Sequence, residues 1–187
     1  VDWVLSAHEE LQQLHSEWNF DWATTEQPLV EGQEFYSPRV DWGLDFKKVS
    51  DAGLYVYRTA DGPSVKTWLP IVDWAMMREL RTPNITGTPI YAAMTPDERL
   101  CFHPIPDDGL HAVLEYYRTP QVMASNNDTP RIPDRFHMAI VWRAVMFWCA
   151  HDENPALWQS ASQNYRSLVQ KMTITELPGV EDPEPIA

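Results

Sequence analysis

Apolar positions in the first stretch recur at helical intervals. Val4, Ala7, Leu11, Leu14 and Trp18 are separated by steps of three and four, which makes one helical face, and Glu9, Glu10, Gln12, Gln13 and Glu17 fill the others. The pattern predicts a first helix that ends near Trp18 or Asn19. From Phe20 the period changes, with Phe20, Trp22 and Thr24 alternating with polar residues. A turn-rich piece, TEQPLVEGQEF, leads to Tyr36. Strand-like runs then follow at Gly53–Thr59, Ser64–Ile71, Ile90–Met94, Arg99–His103 and His111–Arg118. Turn signals separate them at Asp61-Gly62-Pro63, Gly87-Thr88-Pro89 and Pro106-Asp107-Asp108-Gly109. Within this region Val72–Arg81 reads as a short helix, with Asp73 placed to cap it.

Helices return after the polar loop Ala124–Pro130. Arg135–Glu153 is predicted as one helix, and from Met138 to Ala150 every residue is apolar except Arg143. Pro133 suits its first turn and Asp134 complements its dipole. The next helix starts at Asn154-Pro155, a cap followed by a proline, and Trp158, Ala161, Tyr165, Leu168 and Met172 then repeat at helical steps. Two helices with one apolar stripe each suffice to cover a third that is apolar all round, so Arg135–Glu153 is expected at the centre of a bundle. From Thr173 the chain is acidic and rich in proline. Pro178, Pro183 and Pro185 oppose helix there, and Glu176, Glu181, Asp182 and Glu184 repel one another. The predicted fold class is α+β. A helical bundle from residues 1–19 and 123–172 carries a large antiparallel β-sheet or sandwich insertion at 20–122, with one short helix near 72–81. A flexible, extended arm occupies 173–187.

Charge and composition narrow the chemistry. The 187 residues carry a formal net charge of −13, which disfavours a surface that grips nucleic acid. The apolar run around Arg143 is shorter than the roughly 20 residues of a membrane span, and no basic segment precedes an apolar run at the start, so neither a membrane helix nor a secretory signal is read. Val1 opens the chain inside the predicted helix, which raises the expectation that residues precede it. Cys101 and Cys149 lie in apolar surroundings without metal-like spacing and read as reduced core thiols.

None of the six histidines forms an i, i+4 pair, and no G-x-S-x-G, H-E-x-x-H or phosphate-cradling glycine loop occurs. No catalytic, cofactor-binding or metal-binding residue is assigned, and no cofactor. Paired acids such as Asp107-Asp108 sit in turns. Trp22, Trp42 and Trp68 lie in or near strands, where aromatics fill a core or an interface and also serve as sugar platforms; a glycan-binding β module is therefore one reading. Arg143 shares a face with Phe136, Ile140 and Phe147, and its charge needs a partner, for which Glu10 and Glu17 are the candidates. A structural bridge, a head that reaches solvent at the bundle edge, an intersubunit contact and a catalytic arginine all stay open.

Gly87–Met172 resembles the head-to-tail adaptor, or connector, proteins of tailed bacteriophages. The resemblance is carried by Gly87-Thr88-Pro89 before a strand, Pro104-Ile105-Pro106-Asp107 after the next, and Tyr116-Tyr117 before a proline. It continues through Asp128-Thr129-Pro130-Arg131-Ile132-Pro133, Phe136-His137 through Ala144, and Tyr165 and Leu168 in the last helix. The segment EWNFDW and the stretch from Gly32 to Tyr36 extend it over nearly the whole chain. Family members usually carry a further segment before the first helix. The resemblance implies a virion structural protein without a required cofactor, assembled in the host cytoplasm. It implies a ring of about twelve copies under the portal, at the neck. Expected partners are further copies of the chain, the portal protein, and a tail, nozzle or tail-completion protein. DNA would pass through the channel without specific binding. On this reading Phe136, Ile140, Arg143, Phe147, Trp158 and Tyr165 pack the bundle or the subunit interface. Leu177, Pro178, Val180, Pro183, Pro185 and Ile186 belong to an arm that docks on the portal or on a neighbouring subunit.

Overall fold

A computed structural model describes residues 2–125 and 127–179. The fold is α+β. The described residues divide into two compact units: one runs to Asp21 and resumes at Pro120, and the other is Trp22–Thr119.

The second unit is built from two four-stranded sheets. In the first, β1 (Trp22–Pro28), β10 (Leu110–Arg118), β3 (Phe46–Arg58) and β4 (Thr67–Trp68) lie in that order, all antiparallel. In the second the order is β2 (Phe35–Tyr36), β8 (Leu100–His103), β7 (Tyr91–Met94) and β5 (Ile71–Val72). The expectation of antiparallel sheets holds except at β5–β7, which is parallel, and at a small pair, β6 (Thr86–Gly87) with β9 (Ile105–Pro106), also parallel. The sheets face each other across one core. Leu110, Ala112, Leu114 and Tyr116 of β10 and Leu54 and Val56 of β3 meet Tyr36, Ala92, Leu100 and Phe102 of the second sheet.

Helix α2 (Trp74–Leu80) covers the other face of the second sheet, where Met77 packs with Ala93 and Cys101. Asp73 caps it as expected, its carboxylate accepting from the Ala75 amide at 3.4 Å. With both faces covered, all four residues of β8 are buried. A strand of that kind loses the apolar–polar alternation that marks half-buried ones.

Two features of this unit departed from the sequence pattern. The expected strand Ser64–Ile71 is instead a 3-10 turn (Pro63–Val65) and two short strands in different sheets. The chain changes sheet at Leu69-Pro70: the Leu69 amide donates to Leu54 in one sheet, and the Pro70 carbonyl accepts from Ala92 in the other. β3 is also longer than the expected Gly53–Thr59, because an irregularity opposite Glu115 shifts its register, with Leu54 paired to Leu114 but Val49 to Tyr116. Gly53 sits at that irregularity. A Cβ there would lie 2.8 Å from the Glu115 carbonyl oxygen, so only glycine lets the two backbones approach.

The helical unit contains α1 (Trp3–Gln13), α3 (His137–His151) and α4 (Pro155–Glu176). α1 stops five residues before Trp18. Trp18 is fully buried, but it reaches the core from the following loop, stacked on Phe20 at 5.4 Å. The buried face of α1 is Ala7, His8, Leu11 and Gln12, whereas Val4 and Leu14 of the expected stripe are exposed. The face is rotated because Gln12 serves as a clamp. Its side chain accepts from the Gln121 amide at 2.7 Å and donates to the Gln121 carbonyl at 3.1 Å, which satisfies a buried polar group. Before α3 a 3-10 turn (Asp134–Phe136) replaces the expected first helical turn. Asn154 caps α4, accepting from Leu157 at 3.1 Å, with Pro155 as its first residue.

The arm expected from Thr173 is corrected at its start. Residues 173–176 continue α4, with Met172 and Glu176 buried, and Leu177 packs against the bundle core. Glu176 stays helical because it forms an ion pair with Arg135. Pro178 is exposed. Val180, Pro183, Pro185 and Ile186 lie outside the described residues.

Candidate functional site

Helix α3 organises the helical unit. Its inner side buries Ala139, Ile140 and Ala144 with Phe136, against Ala7 and Leu11 of α1 and Met172 of α4. Phe147 and Tyr165 are partly buried in the same cluster. Trp158, predicted beside them, is 40% exposed and borders a recess with Cys149, Ala150, Glu153 and Pro155. It lies near the start of α4, beyond the reach of the core.

Arg143 lies at the edge of this cluster. Its guanidinium grips Glu10 of α1 with two bonds, Nε to Oε2 at 2.9 Å and Nη2 to Oε1 at 2.8 Å. The same group lies 4.4 Å from the Phe147 ring centre and 5.7 Å from that of Tyr165. Of the two acids named from sequence, Glu10 takes the charge. The side chains of Arg143 and Glu10 keep 23% and 37% of their surface exposed, so the pair is a half-wet clamp between α1 and α3 rather than a dry bridge. Burial, with Glu10 adding to it, pushes the Tyr165 hydroxyl above its ordinary pKa, and the nearby Arg143 opposes the shift.

The outer side of α3 is the feature that sequence reading did not resolve. Met138, Val141 and Trp148 are 48%, 44% and 38% exposed, and Val145 lies on the same line. Positions 138, 141, 145 and 148 are spaced by three, four and three, a single helical stripe. With Trp3 and Val4 of α1, Val141, Val145 and Trp148 of this stripe border an apolar recess of about 630 Å³. Met138–Trp148 is apolar on both sides, so periodicity alone carried no clue to which side the rest of the chain covers.

The tryptophans that suggested a sugar platform do not converge. Trp22 and Trp68 are exposed, but they sit on β1 and β4, the opposite edges of one sheet. Trp42 packs against the β core, with its ring 5.5 Å from Tyr36. Among the described residues no group of three or more His, Cys, Asp or Glu could hold a metal ion, and no helix is long and apolar enough to cross a membrane. Cys101 is buried, and desolvation with Glu34 beside it raises its thiol pKa to about 12, which keeps the sulfur protonated and unreactive.

A family model described as SU10 adaptor protein matches residues 1–181. The chain belongs to this family. The adaptor is thus a phage protein and a component of the virion, in a family that implies association with portal and tail components. Structural adaptors of this kind are not normally enzymes. No curated protein matches the adaptor chain.

Proposed function

We propose that this adaptor forms a closed collar of about twelve copies on the portal, at the neck of the virion. The collar extends the DNA channel, retains packaged DNA and fixes where a tail or nozzle protein binds. It is assembled in the host cytoplasm. The observation that supports this reading is the uncovered apolar stripe of α3, Met138, Val141 and Trp148 with the half-buried Val145 between them, on a helix whose other side already holds its own core. A monomer gains nothing from leaving such a stripe in water, whereas a neighbour that covers it contributes on the order of 1 kcal/mol or more per side chain. Phe136, Ile140, Arg143, Phe147 and Tyr165 hold α3 rigid behind that stripe, and Trp158 adds an exposed ring. The segment beyond Leu177 and Pro178, with Val180, Pro183, Pro185 and Ile186, serves as a docking arm on the portal or a neighbouring subunit.

The test is to mix the purified adaptor with purified portal rings and measure the mass of the product. A discrete complex of one portal ring with a fixed number of adaptors is expected, and the adaptor alone stays smaller. A portal that recruits no adaptor at any salt concentration overturns the proposal.

A further inference from the structure

One side of the β sandwich is left short of strand. β4 ends the first sheet and β5 ends the second, and each is two residues long. β4 reaches only Tyr55 and Val56 of β3. Upstream, β3 pairs with β10 on one side, and among the described residues no strand flanks Lys47–Asp51 on the other. Beside that stretch lies a cleft of about 550 Å³, to which Val49, Trp68, Pro70, Ile71 and Met94 give apolar surface. Trp68 and Ile71 are 51% and 37% exposed, and Val49 and Met94 also pack against the β core, so the cleft opens onto that core. A sheet edge beside an apolar cleft suits an extended peptide, because the edge bonds its backbone and the cleft takes its alternate side chains.

Charge selects among the peptides. The chain has four lysines, Lys47, Lys48, Lys66 and Lys171, and the first two line the cleft. Pairing this edge with the same edge of a second copy would bring lysines against lysines, a device that guards sheet edges from one another. An acidic strand has the complementary charge. Glu98 on the rim is already engaged by Arg39 at 3.1 Å. The sequence after Gly179, VEDPEPIA, has the required chemistry, with Glu181, Asp182 and Glu184 between Val180 and Ile186. Residues two apart share one side of a strand. Pro183 and Pro185 therefore fall together on the side away from β3, where a missing amide hydrogen costs no ladder bond. Asp182, Glu184 and Ile186 then turn their amides to the edge. Eight extended residues cover about 26 Å at ~3.3 Å each, which exceeds the length of Lys47–Asp51.

We infer that the cleft beside Lys47–Asp51 receives residues 180–187 of a neighbouring copy as an added strand of the first sheet. The inference rests on the proposed arm and gives it one address, the β unit of a second adaptor.

The experiment assembles two full-length variants together on purified portal rings, one with Ser50→Cys and the other with Asp182→Cys or Glu184→Cys. The natural Cys101 and Cys149 are buried and stay out of the reaction. After mild oxidation a disulfide-linked dimer of the two variants is expected, and none when Asp61→Cys, in an exposed turn of the β unit, replaces Ser50→Cys. Lys47→Glu in the Ser50→Cys chain is expected to lower the yield several-fold, and Glu184→Lys in the Asp182→Cys chain to restore it. A yield that Lys47→Glu leaves unchanged overturns the charge match on which the choice of occupant rests. Dimers of Ser50→Cys with itself assign the edge to self-pairing and overturn the inference. So does a chain carrying both cysteines that closes on itself while mixed chains give no dimer, since the tail then serves its own cleft. Counting adaptors on the same rings separates the readings. Rings with a full complement of adaptors and no dimer reject the cleft alone, and rings that bind no adaptor reject the collar on which the arm acts.

Discussion

Arg143 and His8 show how single polar groups set the behaviour of the helical unit. Arg143 is paired with Glu10 and lies over Phe147, but both charged side chains still touch water. Arg143→Ala therefore leaves Glu10 solvated rather than stranded, and the loss is about 1–2 kcal/mol, from the pair and the ring contact together. A dry bridge would lose 3 kcal/mol or more. Urea melts of the two proteins measure the difference, and a loss above 3 kcal/mol would show that the site excludes water after all. His8 is only 3% exposed. Its Nδ1 lies 3.2 Å from the Gln12 amide nitrogen, and Gln121 fixes which end of that amide faces the ring. Nδ1 is thus the acceptor, and an imidazolium would point a proton at a donor. Burial, followed by Arg131 and His137, lowers the His8 pKa below its usual 6.5, with Glu9 weakly opposing. The folded state then binds this proton less readily than the unfolded chain. Stability from His8 is present above pH 6.5 and is lost as pH falls from there through the folded pKa. Melting temperature is expected to drop between pH 7.5 and 5.5, and to drop less in His8→Gln. Equal slopes for both proteins would remove His8 as the cause.

The elements were legible to different degrees, for physical reasons. α2 and α4 announced themselves through Asp73 and Asn154-Pro155, because a cap is a local interaction that sequence neighbours satisfy on their own. β8 and β10 were found, since strong apolar runs mark both, although β8 is buried on both faces. The two-residue strands were not separable: Thr67–Trp68 and Ile71–Val72 differ only in which sheet each pairs with, and that is decided by distant residues. The apolar pattern overextends α1 because Trp18 keeps the helical spacing while lying in a loop. The pattern ends α4 too early because Glu176 resembles one more tail acid, and its partner Arg135 is far away in sequence. This last point changes what truncation does. Removing residues 180–187 leaves α4, the Glu176–Arg135 pair and Leu177 in place, so the melting temperature is expected to stay the same while portal attachment weakens if the arm reading is right. Removing 174–187 deletes the last helical turn and the Leu177 contact and is expected to destabilise the helical unit by about 1–3 kcal/mol. Circular dichroism melts of the two truncations check this, and identical melts would return residues 174–177 to the arm.

At the scale of the whole molecule, the proposed collar has to assemble against net charge. Each copy carries −13, so copies brought together repel one another, and only contacts that exclude charge can hold them. The outer stripe of α3 meets that requirement in the proposed collar, because from Met138 to Ala150 its only charged residue is Arg143, which is already paired within its own chain. Val141 is the position that tests this. It is 44% exposed, and it borders the recess formed with Trp3, Val4 and Trp148. In the free chain Val141→Glu places its carboxylate in water, so the fold is expected to change in stability by no more than about 0.5–1 kcal/mol. In a collar the same carboxylate would be buried without a partner in every interface, at several kcal/mol per contact, and portal-dependent assembly is expected to be lost. Val40→Glu is the control, since Val40 is 80% exposed in the β unit and adds the same charge to each copy. If Val141→Glu blocks the collar and Val40→Glu does not, the α3 stripe is the interface. If both block it alike, repulsion between copies is the limit, and raising the salt concentration should restore assembly for both. If Val141→Glu assembles as well as the parent chain, the stripe faces something other than a neighbouring adaptor, and the proposed interface is wrong.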